Sequence, residues 1–414
     1  MKQYIIVASA LLVAGVFLRL AIFNPTGSFS SVAPAYYLNN IPSGSSLGVS
    51  NSRTGEIGSQ DDILNSTLGF QEIFVVNLPE RTDKRDAMAV QASLTNITFK
   101  ISPGVRGDTI SEKAKPYGME KLRPAEVGAW RAHLNVLQKI VEDRISTTLI
   151  LEDDADWDVS IKAQMTEFAR GTRWLMNHTG PSRSPYGDSW DILWVGHCSA
   201  HSHHSDTRRW VIRKDPTVPP PDKRNYVLKP YDLGYWEGAP LFDTQTRLVY
   251  KAGYGFCFAG WAVSLRGAEK MLHRMSMLPY ELAVDLGVAE MCGRGTYNMT
   301  CLAPYPAYIG VSKPAGNSNR GSDIVDANGQ GRAGDVGTVE HTGEKIRDKP
   351  TSERVVFSTR LNIPRLLVGQ TEFDSNYPNV TGPIKSIGEI TSFAGTGHGE
   401  WLPDPLPRHQ SSGP

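Results

Sequence analysis

The apolar residues of the chain fall into short continuous runs and into stretches with helical spacing. Ile73 to Leu78 (IFVVNL) is an apolar run of the length of a buried strand, and Thr148 to Leu151 is another. Between them we predict a helix from about Thr82 to Leu94 and a strand near Phe99 to Val105.

A second helix is predicted immediately before the Thr148 to Leu151 strand, with Pro124 near its start. One face of this helix carries apolar residues at offsets 0, 3, 7, 10 and 14, which are Val127, Trp130, Leu134, Leu137 and Val141. Further strands are predicted at Asp191 to Val195 (DILWV) and at Gly255 to Leu265, and a further helix from Gly267 to about Met277.

Strands that alternate with helices predict an α/β fold with a mostly parallel sheet flanked by helices. In such sheets ligands bind beyond the carboxyl ends of the strands. The chain has 414 residues and is 40% hydrophobic, which is enough for one large core. Its formal net charge is zero, so it carries no basic footprint for nucleic acid.

Four segments are predicted along the chain. Residues 1–23 are almost wholly apolar apart from Lys2 and Arg19, and about 20 such residues span a bilayer. We favour an uncleaved signal anchor over a cleaved signal peptide, because no small-x-small cleavage site follows the apolar run. Residues 24–69, rich in Gly, Ser, Pro and Asn, predict a flexible stem. Residues 70–369 form the folded domain, and residues 370–414 a loosely ordered tail rich in Pro, Gly and Ser.

Other features agree with a secretory route. The chain has N-x-S/T sequons at Asn65, Asn96, Asn177, Asn298 and Asn379. Its four cysteines, Cys198, Cys257, Cys292 and Cys301, permit two disulfides in any of three connectivities. We therefore expect a single-pass type II protein of the Golgi or ER membrane, with its folded domain in the lumen.

The chemistry is concentrated where the Thr148 to Leu151 strand ends. Glu152, Asp153, Asp154 and Asp156 follow it directly, and carboxylates so crowded repel one another unless a cation compensates them. Carboxylate oxygens suit Mg²⁺ or Mn²⁺, which bind through one or two carboxylates plus substrate phosphates. The alternative is a solvated turn, since Asp is common at strand ends and helix N-caps.

Basic residues follow the first strand in the same way. Arg81, Lys84 and Arg85 lie in the first turn of the predicted helix, where cations oppose the helix dipole. An anion docked nearby, such as a diphosphate, would explain them. Surface cations paired with neighbouring acids are the alternative.

A family resemblance rests on five ordered segments: IFVVNLPERTDKRDAM, RPAEVGAWRAHLNVLQKIVED, TTLILEDDADWD, DILWVGHC and FAGWAVSLRGAEKML. Together they resemble glycosyltransferase family 25, which includes lipopolysaccharide-type and collagen galactosyltransferases, and most closely its fungal members. The resemblance covers roughly Phe70 to Tyr308. It implies a GT-A type, Rossmann-like fold, a UDP-hexose donor, Mn²⁺ or Mg²⁺, and inversion at the anomeric carbon.

The resemblance also implies residue roles. Asn77, Arg81 and Arg85 would face the nucleotide. Asp154 would ligate the metal directly, with Asp156 as a second candidate ligand, whereas Glu152 or Asp153 would reach the ribose or act through water.

The catalytic base is left open between three acids. An inverting transfer needs a base for the proton of the acceptor hydroxyl. Asp285 is the first candidate, and Glu290 and Glu281 are rivals. Glu126 and His133, seven residues apart on one helix face, match the family pattern only in part, and a core histidine is the more common fate for a residue such as His133.

A histidine-rich segment, Gly196 to His204, follows the DILWV strand and includes His197 and Cys198. A zinc site is conceivable there, but the spacing fits no closed four-ligand pattern. A loop over the active site, with Cys198 in a disulfide, is the preferred interpretation. His341 is a candidate late contact to metal or phosphate.

The sequence thus predicts a metal-dependent inverting glycosyltransferase that moves galactose or glucose from a UDP-sugar to a glycan or glycoprotein hydroxyl. The alternatives are a catalytically silent lumenal carbohydrate-binding or scaffold protein, and a metal-dependent phosphoester hydrolase. A hydrolase with two metals is disfavoured because no second acidic ligand set is apparent.

Overall fold

One ten-stranded sheet with helices against it forms the centre of the fold. The computed structural model describes residues 60–224, 228–238, 240, 242–317, 320–324 and 346–403. The strands are β1 (Glu72–Asn77), β2 (Lys100–Pro103), β3 (Thr147–Glu152), β4 (Ala155–Trp157), β5 (Ile192–Gly196), β6 (Ser199–Ser202), β7 (Arg208–Ile212), β8 (Arg247–Phe256), β9 (Gly260–Ser264), β10 (Cys301–Tyr305), β11 (Ile309–Lys313), β12 (Gly316–Asn317), β13 (Ile346–Arg347), β14 (Thr351–Glu353), β15 (Glu372–Asp374), β16 (Ile384–Ser386) and β17 (His398–Trp401). The helices are α1 (Thr82–Leu94), α2 (Pro124–Glu142), α3 (Ile161–Leu175), α4 (Leu233–Glu237), α5 (Leu265–Ser276), α6 (Val284–Arg294), α7 (Ile363–Leu367), α8 (Pro378–Thr381) and α9 (Ile387–Ile390).

The large sheet has the strand order β17-β7-β8-β10-β5-β9-β3-β1-β2, with β6 paired to β8. Its β2, β1 and β3 strands are parallel neighbours, as are β5 and β10. Within this described sheet, β8, β9 and β17 run against the other strands. The predicted α/β class with a mostly parallel sheet flanked by helices is therefore confirmed. A smaller sheet, β14-β11-β4, lies beside it.

The two helices predicted around the first strands form where the sequence places them. In α2, Val127, Trp130, Leu134 and Leu137 are buried, and the Trp130 indole donates to the Met275 carbonyl at 3.2 Å. That bond joins α2 to α5. Pro124 begins α2, where its missing N–H costs nothing.

The register of β1 and β3 brings the predicted site residues to one edge of the sheet. Val76 of β1 lies opposite Glu152 of β3. Because these strands are parallel, Asn77 and the Glu152–Asp154 cluster emerge at the same edge of the sheet. The α1 helix starts at this edge with the cations of its first turn.

The strand predicted from Gly255 to Leu265 is in fact two. The β8 strand ends at Phe256, Cys257 adopts a left-handed φ of 67°, and β9 begins at Gly260. The chain reverses there, so β9 pairs antiparallel with both β3 and β5. A Cβ on Gly260 would lie 2.7 Å from the Ile309 side chain, so this reversal packs too tightly for a larger residue.

The folded part extends beyond both predicted limits. Before Phe70, a 3-10 turn spans Gln60–Leu64 and Ile63 is fully buried. The segment 370–403, expected to be loosely ordered, contains β15, β16, β17, α8 and α9, and buries Phe373, Ile390 and Phe393. Its Pro, Gly and Ser content obscured these isolated apolar anchors. Residues 404–414 lie outside the described residues.

The predicted anchor, 1–23, and most of the predicted stem, 24–59, also lie outside the described residues. Among the helices that are described, none has the length and apolar character required to cross a bilayer. The described residues belong to one compact unit, Gly55–Pro414.

The four cysteines form two disulfides, as expected. Cys198 bonds Cys257, and Cys292 bonds Cys301. The first ties the start of the histidine-rich segment to the reversal between β8 and β9. The second ties α6 to β10.

Candidate active site

A cleft opens at the carboxyl ends of β1 and β3. Its walls are the end of β1, the 104–107 loop, one face of α2, the Glu152–Asp154 cluster and the segment Ser322 to Ile324. The α2 face contributes small residues, Ala125, Gly128, Ala129 and Ala132. Gly128 allows α2 to approach the loop, because a Cβ there would lie 2.3 Å from the Val105 carbonyl oxygen.

Asp153 is the fixed member of the acidic cluster. Its Oδ2 accepts a hydrogen bond from the Asn77 amide at 2.9 Å, and its Oδ1 lies 2.8 Å from the Lys84 ammonium. Asn77 is 2% exposed and also donates to the Arg81 carbonyl at 3.1 Å. The end of β1, the start of α1 and the end of β3 are thus joined by one polar network.

Asp154 is the unsatisfied member. Its Oδ2 lies 3.6 Å from the Lys84 ammonium, and its Oδ1 is buried without a hydrogen-bond partner. Burial raises the pKa of Asp154 to about 6; Lys84 and Arg360 oppose that shift, and the charges of Glu152 and Asp153 reinforce it. Such a carboxylate is one that a cation would stabilise.

Two cations at the start of α1, Arg81 and Lys84, bind a third acid. Arg81 Nη1 lies 2.5 and 2.6 Å from the two oxygens of Asp323, and Lys84 Nζ lies 2.8 Å from Asp323 Oδ2. Burial alone would lower the pKa of Lys84, but Asp154, Asp153 and Asp323 outweigh it and raise that pKa. Arg81 also pairs with Asp83 at 2.9 Å.

Of the cations singled out in the sequence, Arg81 and Lys84 take part and Arg85 does not. Arg85 is exposed and lies outside the lining of the cleft, so its expected contact with a nucleotide has no support in this arrangement. Lys84 takes its place. Burial separates the two residues: Lys84 is 7% exposed and pairs with Asp153 and Asp323, whereas Arg85 is exposed.

Asp156 is held away from the cleft. It is fully buried on β4, where its Oδ1 accepts from Gln91 at 3.2 Å and from the Arg360 backbone at 3.4 Å, and its Oδ2 accepts from Ser358. These bonds tie α1 to the 358–360 segment. The assignment of Asp156 to a metal finds no support in this geometry.

Two arginines near the cluster were missed by the sequence analysis. Arg360 donates from Nη2 to the carbonyls of Asp153 and Ala155 at 2.9 and 3.0 Å. Arg354 is 8% exposed, its Nε and Nη2 have no hydrogen-bond partner, and its charge interacts with Asp154. Both lie some 200 residues after the cluster in a segment without a motif, so no sequence signal marks them.

The three candidate bases occupy different settings. Asp285, in the first turn of α6, accepts from the Cys257 backbone N–H at 2.8 Å and from that of Leu286 at 2.9 Å. Burial raises its pKa, and the charge of Glu152 adds to the shift. Glu290 pairs with Arg294 at 3.1 Å and Arg274 at 3.6 Å, and Glu281 is exposed and pairs with Lys121.

Glu126 and His133 separate in role. Glu126 accepts from the Arg123 backbone at 2.9 Å and from its guanidinium at 2.8 Å, and so caps α2. His133 lines the cleft, packs on the Phe258 ring and places Nε2 3.8 Å from Glu152 Oε1. At 2% exposure it is both a core histidine and part of the cleft wall.

The histidine-rich segment does not form a zinc site. Among the described residues, no three His, Cys, Asp or Glu side chains are placed to hold a metal ion. His197 instead donates from Nε2 to the Pro304 carbonyl at 2.7 Å, and Cys198 is in a disulfide, as preferred from the sequence. His341 lies outside the described residues.

The cluster fits a divalent cation completed by substrate. Its buried, unpartnered Asp154 Oδ1 is an anionic oxygen that lacks a positive partner of its own. Mg²⁺ and Mn²⁺ sites of this class use one or two carboxylates and take their remaining ligands from phosphates and water. A full set of protein ligands is therefore not needed.

Comparison with known proteins agrees with this geometry. Residues 70–190 match the family described as "Glycosyltransferase family 25 (LPS biosynthesis protein)". The chain is 26% identical over 231 residues to "Procollagen galactosyltransferase 1" of Danio rerio, which is 53% of this chain and 31% of the relative. It is 22% identical over 218 residues to the Homo sapiens "Procollagen galactosyltransferase 2", covering 50% and 28%.

The Homo sapiens "Inactive glycosyltransferase 25 family member 3" is 23% identical over 220 residues, covering 50% of this chain and 29% of the relative. The alignments thus span less than a third of the relatives' lengths. The matched family segment runs from the start of β1 almost to β5 and contains α1, α2 and the acidic cluster. Residues 70–190 of the chain are thus similar to glycosyltransferase family 25.

Proposed function

We propose that the chain is a metal-dependent inverting hexosyltransferase that moves galactose or glucose from a UDP-sugar to a hydroxyl of a glycan or glycoprotein. The observation that carries this proposal is the position of Asp323. Its carboxylate lies between Arg81 and Lys84, at 2.5 to 2.8 Å, beside the acidic cluster. This arrangement supports an anion site at Arg81 and Lys84, with carboxylates for a cation next to it.

A nucleotide diphosphate has the chemistry to use both parts of this site, the cations of Arg81 and Lys84 and the carboxylates beside them. Arg81 gives a charged donor at Nη1 suited to phosphate oxygens, and Lys84 a point charge. To take the place of Asp323, the diphosphate must exchange with a carboxylate of the same chain. Asn77 fixes Asp153 at the junction, so the cations and carboxylates keep their separation when the anion changes.

The divalent ion, Mn²⁺ or Mg²⁺, would be held by Asp154 with Asp153, and when bound would neutralise charge on the departing diphosphate. The protein adds its own cations to that task. Arg354, buried with two unpartnered nitrogens, and Lys84 both act on Asp154. Because the charges of Arg354 and Lys84 already offset those of the carboxylates, the cluster can either bind a cation or take up a proton.

Asp285 is proposed as the base. In a single displacement the acceptor oxygen forms a bond to the anomeric carbon as the bond to the UDP oxygen breaks. The hydroxyl proton passes to the Asp285 carboxylate. Burial and Glu152 raise the pKa of Asp285, which makes it a better proton acceptor than an ordinary carboxylate. The Cys257 N–H, fixed by the Cys198–Cys257 disulfide, orients one oxygen.

We place this activity in the lumen of the Golgi or ER, with the N-terminal apolar segment as a type II membrane anchor. The two disulfides support the proposal, because disulfides persist in oxidising compartments. The names of the galactosyltransferase relatives support a hexose donor and a protein acceptor.

A second candidate function is a catalytically silent carbohydrate-binding protein. The relatives named "Inactive glycosyltransferase 25 family member 3" and "Probable inactive glycosyltransferase 25 family member 3" favour it, since they match the chain over the same share of its length. The unsatisfied Asp154 and the buried Asp285 favour the active form, since both are costly features without a catalytic use.

Release of UDP from a panel of UDP-sugars, with Mn²⁺ and with a chelator, separates these functions. The transferase releases UDP from UDP-galactose or UDP-glucose, more in the presence of acceptor, and stops with chelator. No release from any donor, with glycan binding retained, supports the silent protein. Release of inorganic phosphate from simple phosphate esters supports a hydrolase and overturns the proposal.

A further inference from the structure

An aromatic surface outside the cleft lies beside one of the sequons. Trp174 and Trp210 line a shallow depression together with Asn177 and Thr179, which are the acceptor and hydroxyl positions of the sequon. Trp401, 62% exposed on β17, meets Trp174 edge to face with ring centroids 4.9 Å apart. Trp401 is thus exposed and Trp174 half-buried, and together they offer an apolar surface that a partner could cover.

The local backbone brings Asn177 to this surface. The α3 helix ends at Leu175, and the Asn177 N–H donates to the Trp174 carbonyl at 3.0 Å, which closes a tight turn. Asn177 has a φ of 54° and is exposed. Its Oδ1 accepts from Arg208 at 3.3 Å, which leaves the Nδ2 nitrogen for modification.

The indole of Trp174 is held from behind. A Cβ on Gly399 of β17 would lie 2.0 Å from the Trp174 ring, so the ring lies directly on the β17 backbone. Its orientation is therefore set by the fold. The other sequons lack such a ring three residues before the asparagine: Asp62, Ser93, Gly295 and Asn376 stand there.

We propose that Asn177 carries an N-linked oligosaccharide whose first sugar packs on Trp174 and Trp401. Asn177 Nδ2 forms a bond to the anomeric carbon of a lipid-diphosphate-linked oligosaccharide, loses a proton, and the lipid diphosphate leaves. The apolar C–H face of a pyranose covers indole as other apolar groups do. This inference rests on the lumenal compartment proposed above, and is independent of the donor chemistry.

The first test is site occupancy. The full chain is expressed in a eukaryotic secretory host, and each sequon asparagine is examined by peptide mass spectrometry after endoglycosidase treatment. Occupied Asn177, with loss of one mobility step in both Asn177→Gln and Thr179→Ala, supports the inference. Other sequons occupied with Asn177 empty overturns it alone, whereas all sequons empty overturns it together with the proposed compartment.

The second test examines whether the first sugar packs on Trp174 and Trp401. Treatment with a peptide N-glycosidase, which removes the first sugar as well, should lower the Tm of the glycoprotein by about 2 °C or more, and by much less in Trp401→Ala, whose exposed side chain can be removed without unfolding the chain. Asn298→Gln is the matched control, because loss of that glycan leaves the Trp174 surface covered. An equal Tm change on deglycosylation in the Trp401→Ala and unsubstituted proteins overturns the proposed packing of the sugar on the indoles.

Discussion

Arg81 and Asp323 lie 242 residues apart in the chain, and the Arg81 Nη1 atom contacts both Asp323 oxygens, at 2.5 and 2.6 Å. The Arg81 Nη2 atom also donates to the Arg320 carbonyl at 2.7 Å. The segment 320–324 thus lies across the cleft with a carboxylate where an anionic substrate group would be bound. Under the proposed function, the substrate would compete with Asp323 for Arg81 and Lys84.

Removing that competitor should strengthen nucleotide binding. In Asp323→Asn we expect the Kd of UDP with Mn²⁺ to fall about fivefold, since an ion pair that need not be broken contributes roughly 1 kcal/mol. Isothermal titration calorimetry measures the change. Glu112→Gln, an exposed acid outside the cleft, is the control. Weaker UDP binding in Asp323→Asn would show instead that Asp323 holds the nucleotide.

Asp154 should be needed for binding but not for folding. Asp154→Asn is expected to abolish Mn²⁺-dependent UDP binding while the Tm stays within a few degrees. Burial and the charges of Glu152 and Asp153 disfavour its ionised form, so loss of this charge costs the fold little. Calorimetry with Mn²⁺ and with chelator tests it. Unchanged Mn²⁺-dependent turnover would overturn the metal assignment.

Asp156 should show the opposite pattern. Its oxygens accept bonds from Gln91, Ser358 and the Arg360 backbone, all buried. Asp156→Ala leaves those donors without their acceptor and removes one of the carboxylates that act on Arg360, and should lower the free energy of unfolding by about 3 kcal/mol. Urea denaturation measures it. If stability is unchanged and only metal-dependent binding is lost, Asp156 is a metal ligand after all.

The fold was predictable where periodicity and length agree. The predicted α1 limits match the observed Thr82–Leu94, and the buried runs became β1, β3 and β5. The strand predicted at Gly255 to Leu265 failed because nothing in an apolar run marks a left-handed residue such as Cys257. The ordered segment after residue 370 was missed because few apolar residues anchor it.

The site was predictable only in its local parts. The acidic cluster and Arg81 follow adjacent strands, so parallel pairing brings them together. Lys84 was noticed, but only the structure shows that it is buried against Asp153 and Asp323 while Arg85 is exposed. Asp323, Arg354 and Arg360 come from distant segments without motifs, and only tertiary packing shows that they surround Asp154.

Protonation of Asp285 should cause the fall in enzymatic rate at low pH. Asp285→Asn is expected to lower kcat by about 100-fold or more with little change in the KM for the donor. A base must be ionised, so the rate of the unsubstituted enzyme should fall as pH drops through the Asp285 pKa. That pKa is raised by burial, so the fall begins above the ordinary carboxyl range.

Steady-state kinetics across pH, with Glu290→Gln as the matched control, tests this. Glu290 lies on the same helix but pairs with two arginines, so its variant should retain kcat within a few-fold. A large loss in Glu290→Gln with normal rates in Asp285→Asn would reverse the assignment.

His197 should make the fold sensitive to acid. Burial lowers the pKa of His197 to about 4, and its Nδ1 atom has no partner to stabilise a proton. Between that pKa and the ordinary histidine value the unfolded chain binds more protons than the folded chain, so stability rises with pH. From pH 7 to pH 5 the titration of His197 should therefore lower the free energy of unfolding by about 2 kcal/mol.

Urea denaturation at the two pH values tests this. The free energy of unfolding of His197→Gln should depend on pH less than that of the unsubstituted protein, by the same amount. His398→Gln, exposed on β17, should follow the unsubstituted protein. Equal pH slopes in all three would mean that the pKa of His197 is not lowered by folding.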